Sequence, residues 1–447
     1  MRLNGFDGIK KLYFIGIGGI SMSALAKFLS TQGYQVSGSD ALRGEETETL
    51  VFYGIKVFIG EDGQRKELQE ADAVVYTDAI APSNAELLQA ICLKKKVFSR
   101  VDLLSRICES FQSVIAIAGS HGKTTCTSMC AHILRSIGVP FTAHIGGEDS
   151  VLGNFYSCGC DYLVTEACEY KRNILKIKPS VGVLLNIDLD HMECYRDESD
   201  LIHCFRQYCL SAQTAFICAD DERSKNLGDF ATFGITNPLA DYRAVDLRAS
   251  GERYAFTVEE YGKPICRIKL NAIGRCNVYN ALAAFASMRS LGFNEKELTK
   301  GVESFLAVKR RFEKIGSFQG ASFVCDYAHH PREIRSTIAT AEGVCRGKLF
   351  VVFQPHTYSR TKLLMQEFVE TLRPIPHLMI YKTYPARESY DGEGSAERLA
   401  ENVGSLYSEN IYALKTWLKT TVREGDMVLF LGAGDIYYAA QYLLKEL

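Results

Sequence analysis

The densest chemistry in the chain lies between Val114 and Met129, VIAIAGSHGKTTCTSM, where an apolar run gives way to two glycines, a lysine and two threonines. Gly119 and Gly122 let the backbone bend until successive N–H groups converge on phosphate oxygens, with Ser120 and His121 between them. The helix that should follow adds the partial positive charge of its N-terminus. Lys123 is placed to neutralise phosphate, and Thr124, followed by Thr125, to hold Mg2+ through its hydroxyl. The longer G-x-x-x-x-G-K-[ST] spacing does not fit, because Ile117 stands where its first glycine belongs; the shorter G-[ST]-x-G-K-T form does. A loop of this kind implies a nucleoside triphosphate and its magnesium ion.

Further polar residues follow apolar runs that read as strands. Glu166 in VTEACE follows one; Asn186, Asp190 and His191 in LLNIDLDHMECY follow another. In an open parallel sheet the carboxyl ends of the strands form the ligand crevice, so Glu166 and His191 are expected to converge with Thr124 on metal and phosphate. Oxygen donors suit Mg2+, whereas a histidine ligand is less usual for it. Asn277 and Asn280 share one helical face and could meet an adenine edge, although asparagines at a helix start also serve as caps. Arg310 and Arg311, in VKRRFEKIG, lie near an expected domain junction, where closure would carry arginine onto a transferred phosphate. In CDYAHHPREI and FQPHTYSRTK, Asp326 suits a ribose hydroxyl, Tyr327 and His329 a small polar substrate, and Arg360 a carboxylate. His330-Pro331 fits the first turn of a helix.

Near the start, Gly16-x-Gly18-Gly19-x-Ser21 resembles a dinucleotide fingerprint with Ser21 at the third glycine position. Asp40 lies about 20 residues on, where an acid meets a ribose. A nicotinamide enzyme would explain this loop but not the later triphosphate loop. A nucleotide-sugar diphosphate would satisfy the same amides, so the loop specifies a pyrophosphate and leaves its bearer open.

These residues need several scaffolds. A chain of 447 residues exceeds one ordinary core and implies about three domains. Three times a strand, a Gly-rich or polar turn and a helix begin again, the pattern of parallel α/β units. The first has a strand over Lys11–Ile17 and a helix from about Ser21 to Gln32. The second starts at the nucleotide loop, with strands near Tyr162–Thr165 and Val181–Leu185. The third has strands at Ser322–Cys325, Leu349–Phe353, Leu378–Tyr381 and Met427–Leu431. Domains are expected at 1–107, 108–314 and 315–447. A net charge of −2 argues against a nucleic-acid partner. No segment reaches the ~18 apolar residues a membrane span needs, so no membrane insertion and a cytoplasmic protein are expected. Fifteen cysteines in such a chain read as free, mostly buried thiols, and Cys158-x-Cys160 lacks a second pair at zinc spacing.

Taken together, FIGIGGISMSALA, GYQVSGSD, GSHGKTT, TEACE, NIDLDHM, NVYNALAA, VKRRFE, DYAHHPREI, FQPHTYSRT, YPARE and LGAGDI resemble the Mur ligase family in order and over nearly the whole chain. The resemblance implies a Rossmann-like UDP-sugar domain, a central P-loop ATPase domain and a Rossmann-like amino-acid domain. It implies ATP and Mg2+ as cofactors, and an amide ligase joining L-alanine to UDP-N-acetylmuramate through an acyl phosphate, acting as a monomer or weak homodimer. By that resemblance Gly18, Gly19, Ser21 and Asp40 face the UDP moiety, Gly119 to Thr125 hold ATP phosphates, and Thr124, Glu166 and His191 bind Mg2+. Asn277 and Asn280 address adenine, Arg311 the phosphates and Asp326 the ribose, while Tyr327, His329 and Arg360 hold the amino acid. The catalytic set is Lys123, His191, Arg311 and His329. Cys168 replaces the family's usual aspartate and Cys276 its usual histidine; Ala307 replaces a common glycine and Thr357 an arginine of some members. No lysine follows Met192 where sister ligases carry a carbamylated one.

Overall fold

The computed structural model describes residues 5–250, 253–386 and 388–447. Its strands form three sheets, each built where apolar runs are punctuated by glycine or polar turns. The first comprises β1 (Lys11–Ile15), β2 (Gln35–Asp40), β3 (Lys56–Ile59), β4 (Ala73–Tyr76) and β5 (Lys96–Ser99), in the order β3-β2-β1-β4-β5 and parallel throughout. Order reverses on either side of β1, so the turn after β1 is the switch point at which such sheets bind ligands. Gly16, with φ +79°, makes that turn, and the helix Ile20–Thr31 follows.

The second sheet has ten strands: β6 (Ser113–Ala118), β7 (Phe141–Asp149), β8 (Gly153–Ser157), β9 (Tyr162–Glu166), β10 (Val181–Leu184), β11 (Thr214–Cys218), β12 (Ala231–Gly234), β13 (Tyr242–Ser250), β14 (Arg253–Glu260) and β15 (Lys263–Ile273). Their order is β15-β14-β13-β12-β11-β10-β6-β9-β7-β8. The central strand β6 runs parallel to β9 and β10, so all three deliver their carboxyl ends to one edge. β6 is buried from Val114 to Ala118, as a strand covered on both faces must be, and it leads through Gly119–Gly122 into the helix Lys123–Ile137. Against that helix packs the helix Glu295–Ser304.

The third sheet comprises β16 (Glu313–Phe318), β17 (Ala321–Asp326), β18 (Leu349–Phe353), β19 (Leu378–Tyr381), β20 (Leu406–Ser408) and β21 (Met427–Leu431), ordered β16-β17-β21-β18-β19-β20. Only the β16–β17 pair is antiparallel. The expected strands at Leu349–Phe353, Leu378–Tyr381 and Met427–Leu431 form as read. The β7–β8 hairpin and β13–β16 were not foreseen, because their half-exposed alternation lacks the continuous apolar run that marks a buried parallel strand.

Compactness divides the chain into two units. One holds residues 1–247, 255–270 and 277–306 and includes the first sheet and most of the second; the other holds 248–254, 271–276 and 307–447. Within the first unit the helix Ile20–Thr31 is tied to the β7–β8 hairpin: Asn154 Nδ2 donates to Ile20 O and Ser23 Oγ at 2.8 Å each, and Lys27 Nζ donates to Asn154 Oδ1 at 2.8 Å. All fifteen cysteines are free thiols. Contrary to expectation they are not mostly buried: Cys92, Cys158 and Cys276 are exposed and five others are intermediate, so packing does not account for all of them. Among the described residues no helix is long and apolar enough to cross a membrane.

Two glycines test the packing. A Cβ at Gly301 would sit 2.5 Å from Ile133 Cα, a backbone atom that cannot swing away, whereas one at Gly343 meets nothing within 4 Å. Gly301→Ala is expected to lower stability by about 2 kcal/mol despite its better helix propensity. Gly343→Ala should raise it by up to about 1 kcal/mol. Urea midpoints of the two variants check both signs.

Candidate functional site

The loop after β6 is shaped by conformations and contacts that only glycine tolerates at two positions. Gly119 has φ +133° and Gly122 φ +86°, and a Cβ on Gly122 would lie 2.6 Å from Asn280 Oδ1. The loop is braced from the segment after β10. Asn186 O accepts from Ser120 N at 3.1 Å, Asn186 Oδ1 accepts from His121 N at 2.9 Å, and Asn186 Nδ2 donates to His121 O at 3.1 Å. Ser120 Oγ lies 2.8 Å from Asp188 N, and His121 Nε2 lies 3.0 Å from Asp188 Oδ2. Ser120 and His121, expected as phosphate contacts, therefore spend these groups on holding the loop open. Asn277 and Asn280 do meet on one helical face: Asn280 Nδ2 donates to Asn277 Oδ1 at 2.9 Å, beside Gly122.

Lys123 folds back over this loop. Its ammonium donates to Ser120 O at 3.2 Å and to Gly119 O, and it pairs with both oxygens of Glu169 at 3.1 and 3.0 Å. Glu169 is buried and Lys123 nearly so. Burial works against the lysine's charge, but the Glu169 carboxylate, with Glu166 adding to it, holds the ammonium above its ordinary pKa. Sequence reasoning missed Glu169, although it stands three residues after Glu166 in the same strand-end segment. Cys168 lies alongside, its thiol pushed up to about 11 by burial and the neighbouring Glu169.

Glu166 ends β9, and its Oε1 accepts from Gly146 N at 2.7 Å. A Cβ on Gly146 would reach 2.4 Å from that oxygen, so only glycine admits the carboxylate there. Thr124 is buried at the first turn of the helix, and His191 begins a short turn with φ +57°, its ring edge-on to Tyr170 at 5.1 Å. Asp190 Oδ2 lies 3.8 Å from His191 Nε2 and Glu193 Oε1 3.5 Å from Nδ1.

At the first sheet's switch point, Asp40 Oδ2 accepts from Gly18 N at 2.8 Å. A Cβ on Gly18 would collide with that carboxylate at 2.9 Å. Ser21 Oγ lies 2.8 Å from His144 Nε2, and Arg100 Nη1 donates to it at 3.2 Å. His144 Nδ1 in turn lies 2.8 Å from Thr165 Oγ1. Burial, with the charge of Arg100 adding to it, lowers the His144 pKa to about 3, so the ring is neutral. Neither Arg100 nor His144 was singled out from the sequence. Arg100 was findable, because it directly follows an apolar strand, the criterion that selected Glu166 and His191.

The second unit gathers its own expected residues around the ends of β17 and β18. Asp326 Oδ2 accepts from Phe312 N at 2.7 Å and Oδ1 from Ala328 N at 2.8 Å; burial raises its pKa, with the nearby Arg311 charge opposing. Arg310 and Arg311 both stack on Tyr327, at 4.8 and 4.9 Å, but Arg310 also donates to the carbonyls of Gly432 and Gly434. Arg310 thus holds the LGAGDI turn. His329 lies edge-on to Tyr327 at 5.4 Å and to His356 at 5.8 Å, and Arg360 Nη1 approaches His356 Nδ1 at 3.4 Å. His330 and Pro331 open a helix as read from the sequence. Arg387 of the YPARE motif lies outside the described residues.

The chain matches the Mur ligase family catalytic domain over residues 11–112, the Mur ligase middle domain over 117–288 and the Mur ligase glutamate ligase domain over 310–434. It is 36% identical to UDP-N-acetylmuramate–L-alanine ligase of Clostridium tetani and 37% identical to that of Clostridium novyi, each alignment covering 98% of both chains. Its fold is similar to the crystal structure of the UDP-N-acetylmuramate-alanine ligase MurC from Thermotoga maritima, with TM-score 0.83, 28% identity and 98% of each chain covered. The murein peptide ligase of Psychrobacter arcticus shares the fold at TM-score 0.76 and 22% identity. A braced phosphate loop, a strand-end carboxylate beside it and three domains matched in sequence along nearly the full length have one common explanation: the chain belongs to the Mur ligase family.

Proposed function

We propose that the protein is the ATP-dependent ligase that joins L-alanine to UDP-N-acetylmuramate in cytoplasmic peptidoglycan precursor synthesis, working as a monomer or weak homodimer. The observation that carries this reading is the pairing of a triphosphate loop with a pyrophosphate-type switch point in one compact unit, in a chain 36–37% identical to ligases of that name over 98% of its length. A division at 1–107, 108–314 and 315–447 follows the three sheets, except that β16 already starts at Glu313. The nicotinamide alternative leaves the Gly119–Thr125 loop without a role.

In this mechanism the lactyl carboxylate attacks the γ-phosphorus of ATP, ADP leaves, and the alanine amine displaces phosphate from the resulting acyl phosphate. The first step brings like charges together: a unit pair at 4 Å costs ~4 kcal/mol at an effective dielectric of 20. Lys123 offsets it. Its ammonium is now held by Glu169 and two loop carbonyls, so it is pre-placed where phosphate oxygens would take over those contacts. The amides of Gly122–Thr125, at the helix N-terminus, bind the remaining phosphate charge. Asn277 and Asn280 serve adenine, Arg311 the phosphates and Asp326 the ribose. Gly18, Gly19, Ser21 and Asp40 form the UDP-sugar end. Tyr327, His329 and Arg360 hold alanine, with His329 positioned by Glu333, whose carboxylate accepts from His329 N at 3.1 Å.

The oxygen-rich set of the Thr124 hydroxyl and Glu166 carboxylate fits Mg2+, and the Glu166 side chain is clamped in place by Gly146. His191, flanked by Asp190 and Glu193, would complete a second position. Bound there, Mg2+ would screen phosphate charge during transfer.

ADP release by purified protein with Mg-ATP and UDP-N-acetylmuramate should depend on L-alanine. Release that depends instead on the L-Ala-γ-D-Glu-diaminopimelate tripeptide would move the protein to a peptide-recycling ligase, and silence with every acceptor would sink the ligase reading. Lys123→Ala should cut that release at least about a hundredfold while leaving the circular dichroism spectrum intact. For Glu169→Gln, the buried ammonium loses its counter-charge, which costs on the order of 3 kcal/mol without nucleotide. Saturating Mg-ATP supplies replacement anions, so the drop in melting temperature should be smaller with nucleotide than without; equal drops would remove the pairing argument.

A further inference from the structure

Two consecutive acids past the end of β11 each hold a different half of the nucleotide pocket. β11 lies between β10 and β12 and runs parallel to both, so Asp220 and Asp221 stand at the same sheet edge as Asn186 and Asp188. Asp220 collects the loop after β12: its Oδ2 accepts from Ile235 N at 2.6 Å and Thr236 N at 2.9 Å, and its Oδ1 from Asn237 N at 2.7 Å. Burial opposes the charge, but those three backbone N–H groups and a hydroxyl hold the carboxyl below its ordinary pKa. An ionised carboxylate only accepts, so the hydroxyl of Tyr279, 2.9 Å from Oδ2, donates to it. Asp221 is buried beside it, and its Oδ1 accepts from Ile187 N at 3.3 Å and Ser224 N at 2.9 Å. Ile187 stands between Asn186 and Asp188, the residues that brace the phosphate loop.

Tyr279 lies on the helix Cys276–Arg289 between Asn277 and Asn280. At about 100° per residue it projects roughly 200° around the axis from Asn277 and roughly 100° from Asn280, off the face that the asparagines share. On that face Asn280 Nδ2 donates to Asn277 Oδ1 at 2.9 Å, and Asn280 Oδ1 approaches Gly122. From Ala281 to Ala286 the helix is buried and wholly apolar, and such packing resists rotation less sharply than a directional bond. The bond from Tyr279 to Asp220 therefore sets how the helix is turned about its axis, and with it where the asparagine pair points. Asp221, one residue on, sets the phosphate side.

We propose that Asp220 and Tyr279 are positioning residues for the purine base, and that the Asp220-Asp221 pair fixes the span between the base-reading asparagines and the phosphate loop. Adenine selectivity then depends on a hydroxyl turned away from the base. The proposal rests on the ligase reading, which gives Asn277 and Asn280 to adenine.

Calorimetric titration of three Mg2+ complexes tests it: the β,γ-imido analogue of ATP, that of GTP, and inorganic tripolyphosphate, which carries the phosphates without a base. Tyr279→Phe removes only the hydroxyl. It should weaken binding of the adenosine analogue roughly fivefold or more, narrow its advantage over the guanosine analogue by a similar factor, and leave tripolyphosphate affinity unchanged. Asp221→Ala should weaken all three by the same factor, since it acts on the phosphate side; should that variant fail to fold, Tyr279→Phe decides. Unchanged affinity of Tyr279→Phe for the adenosine analogue overturns the proposal alone, as does an equal loss with tripolyphosphate, the mark of a merely structural role. Wild-type protein that binds the adenosine analogue no better than tripolyphosphate overturns the adenine assignment of Asn277 and Asn280 and the proposal with it, while L-alanine-dependent ADP release tests the ligase reading independently.

Discussion

Lys123 carries its charge almost out of water, and the geometry around it is arranged to make that tenable. An unpaired ammonium in such a place would cost several kcal/mol or lose its proton. Glu169 takes both sides of the charge, and the carbonyls of Gly119 and Ser120 take the remaining donors. Those contacts demand that the loop wrap around the lysine's own side chain. That wrap requires left-handed φ at Gly122, and it leaves the loop amides to be organised from outside by Asn186 and Asp188. The parallel register of β6 with β9 and β10 follows from the same need, since it brings Glu166, Glu169 and Asn186 to one sheet edge.

A second constraint joins the first two sheets into one compact unit. The surface between the helix Ile20–Thr31 and the strands β7–β9 carries polar groups beside the apolar contact of Phe28 with Phe155. Asn154 and Lys27 meet there, and Ser21, His144 and Thr165 form a hydrogen-bonded chain. Directional bonds of this kind tolerate less sliding than methyl groups do, which suits a junction whose two sides must present substrates to each other at bonding distance. His144 is neutral in that arrangement, because burial lowers its pKa to about 3.

In the second unit, adjacent arginines divide two tasks. Positive φ at Arg310 and Phe312 turns the chain so that Arg310 reaches the glycine carbonyls after β21, while Arg311 remains over Tyr327 with Asp326 close by. Both side chains look alike in VKRRFE. Their separation comes from the left-handed backbone at Arg310 and Phe312, just before β16.

The sequence by itself determined the repeated strand–turn–helix plan, the buried strands Leu349–Phe353, Leu378–Tyr381 and Met427–Leu431, the triphosphate loop and the family. Those features are local: a continuous apolar run, a glycine where the chain must turn, a lysine beside it. Tertiary structure alone decided that Glu169 rather than Cys168 answers Lys123, and that Asp188 engages His121. It also decided that Ser21 meets both His144 and Arg100. Each of those choices depends on which strand ends lie side by side, and a pattern of single residues along the chain does not contain the order of strands in a sheet.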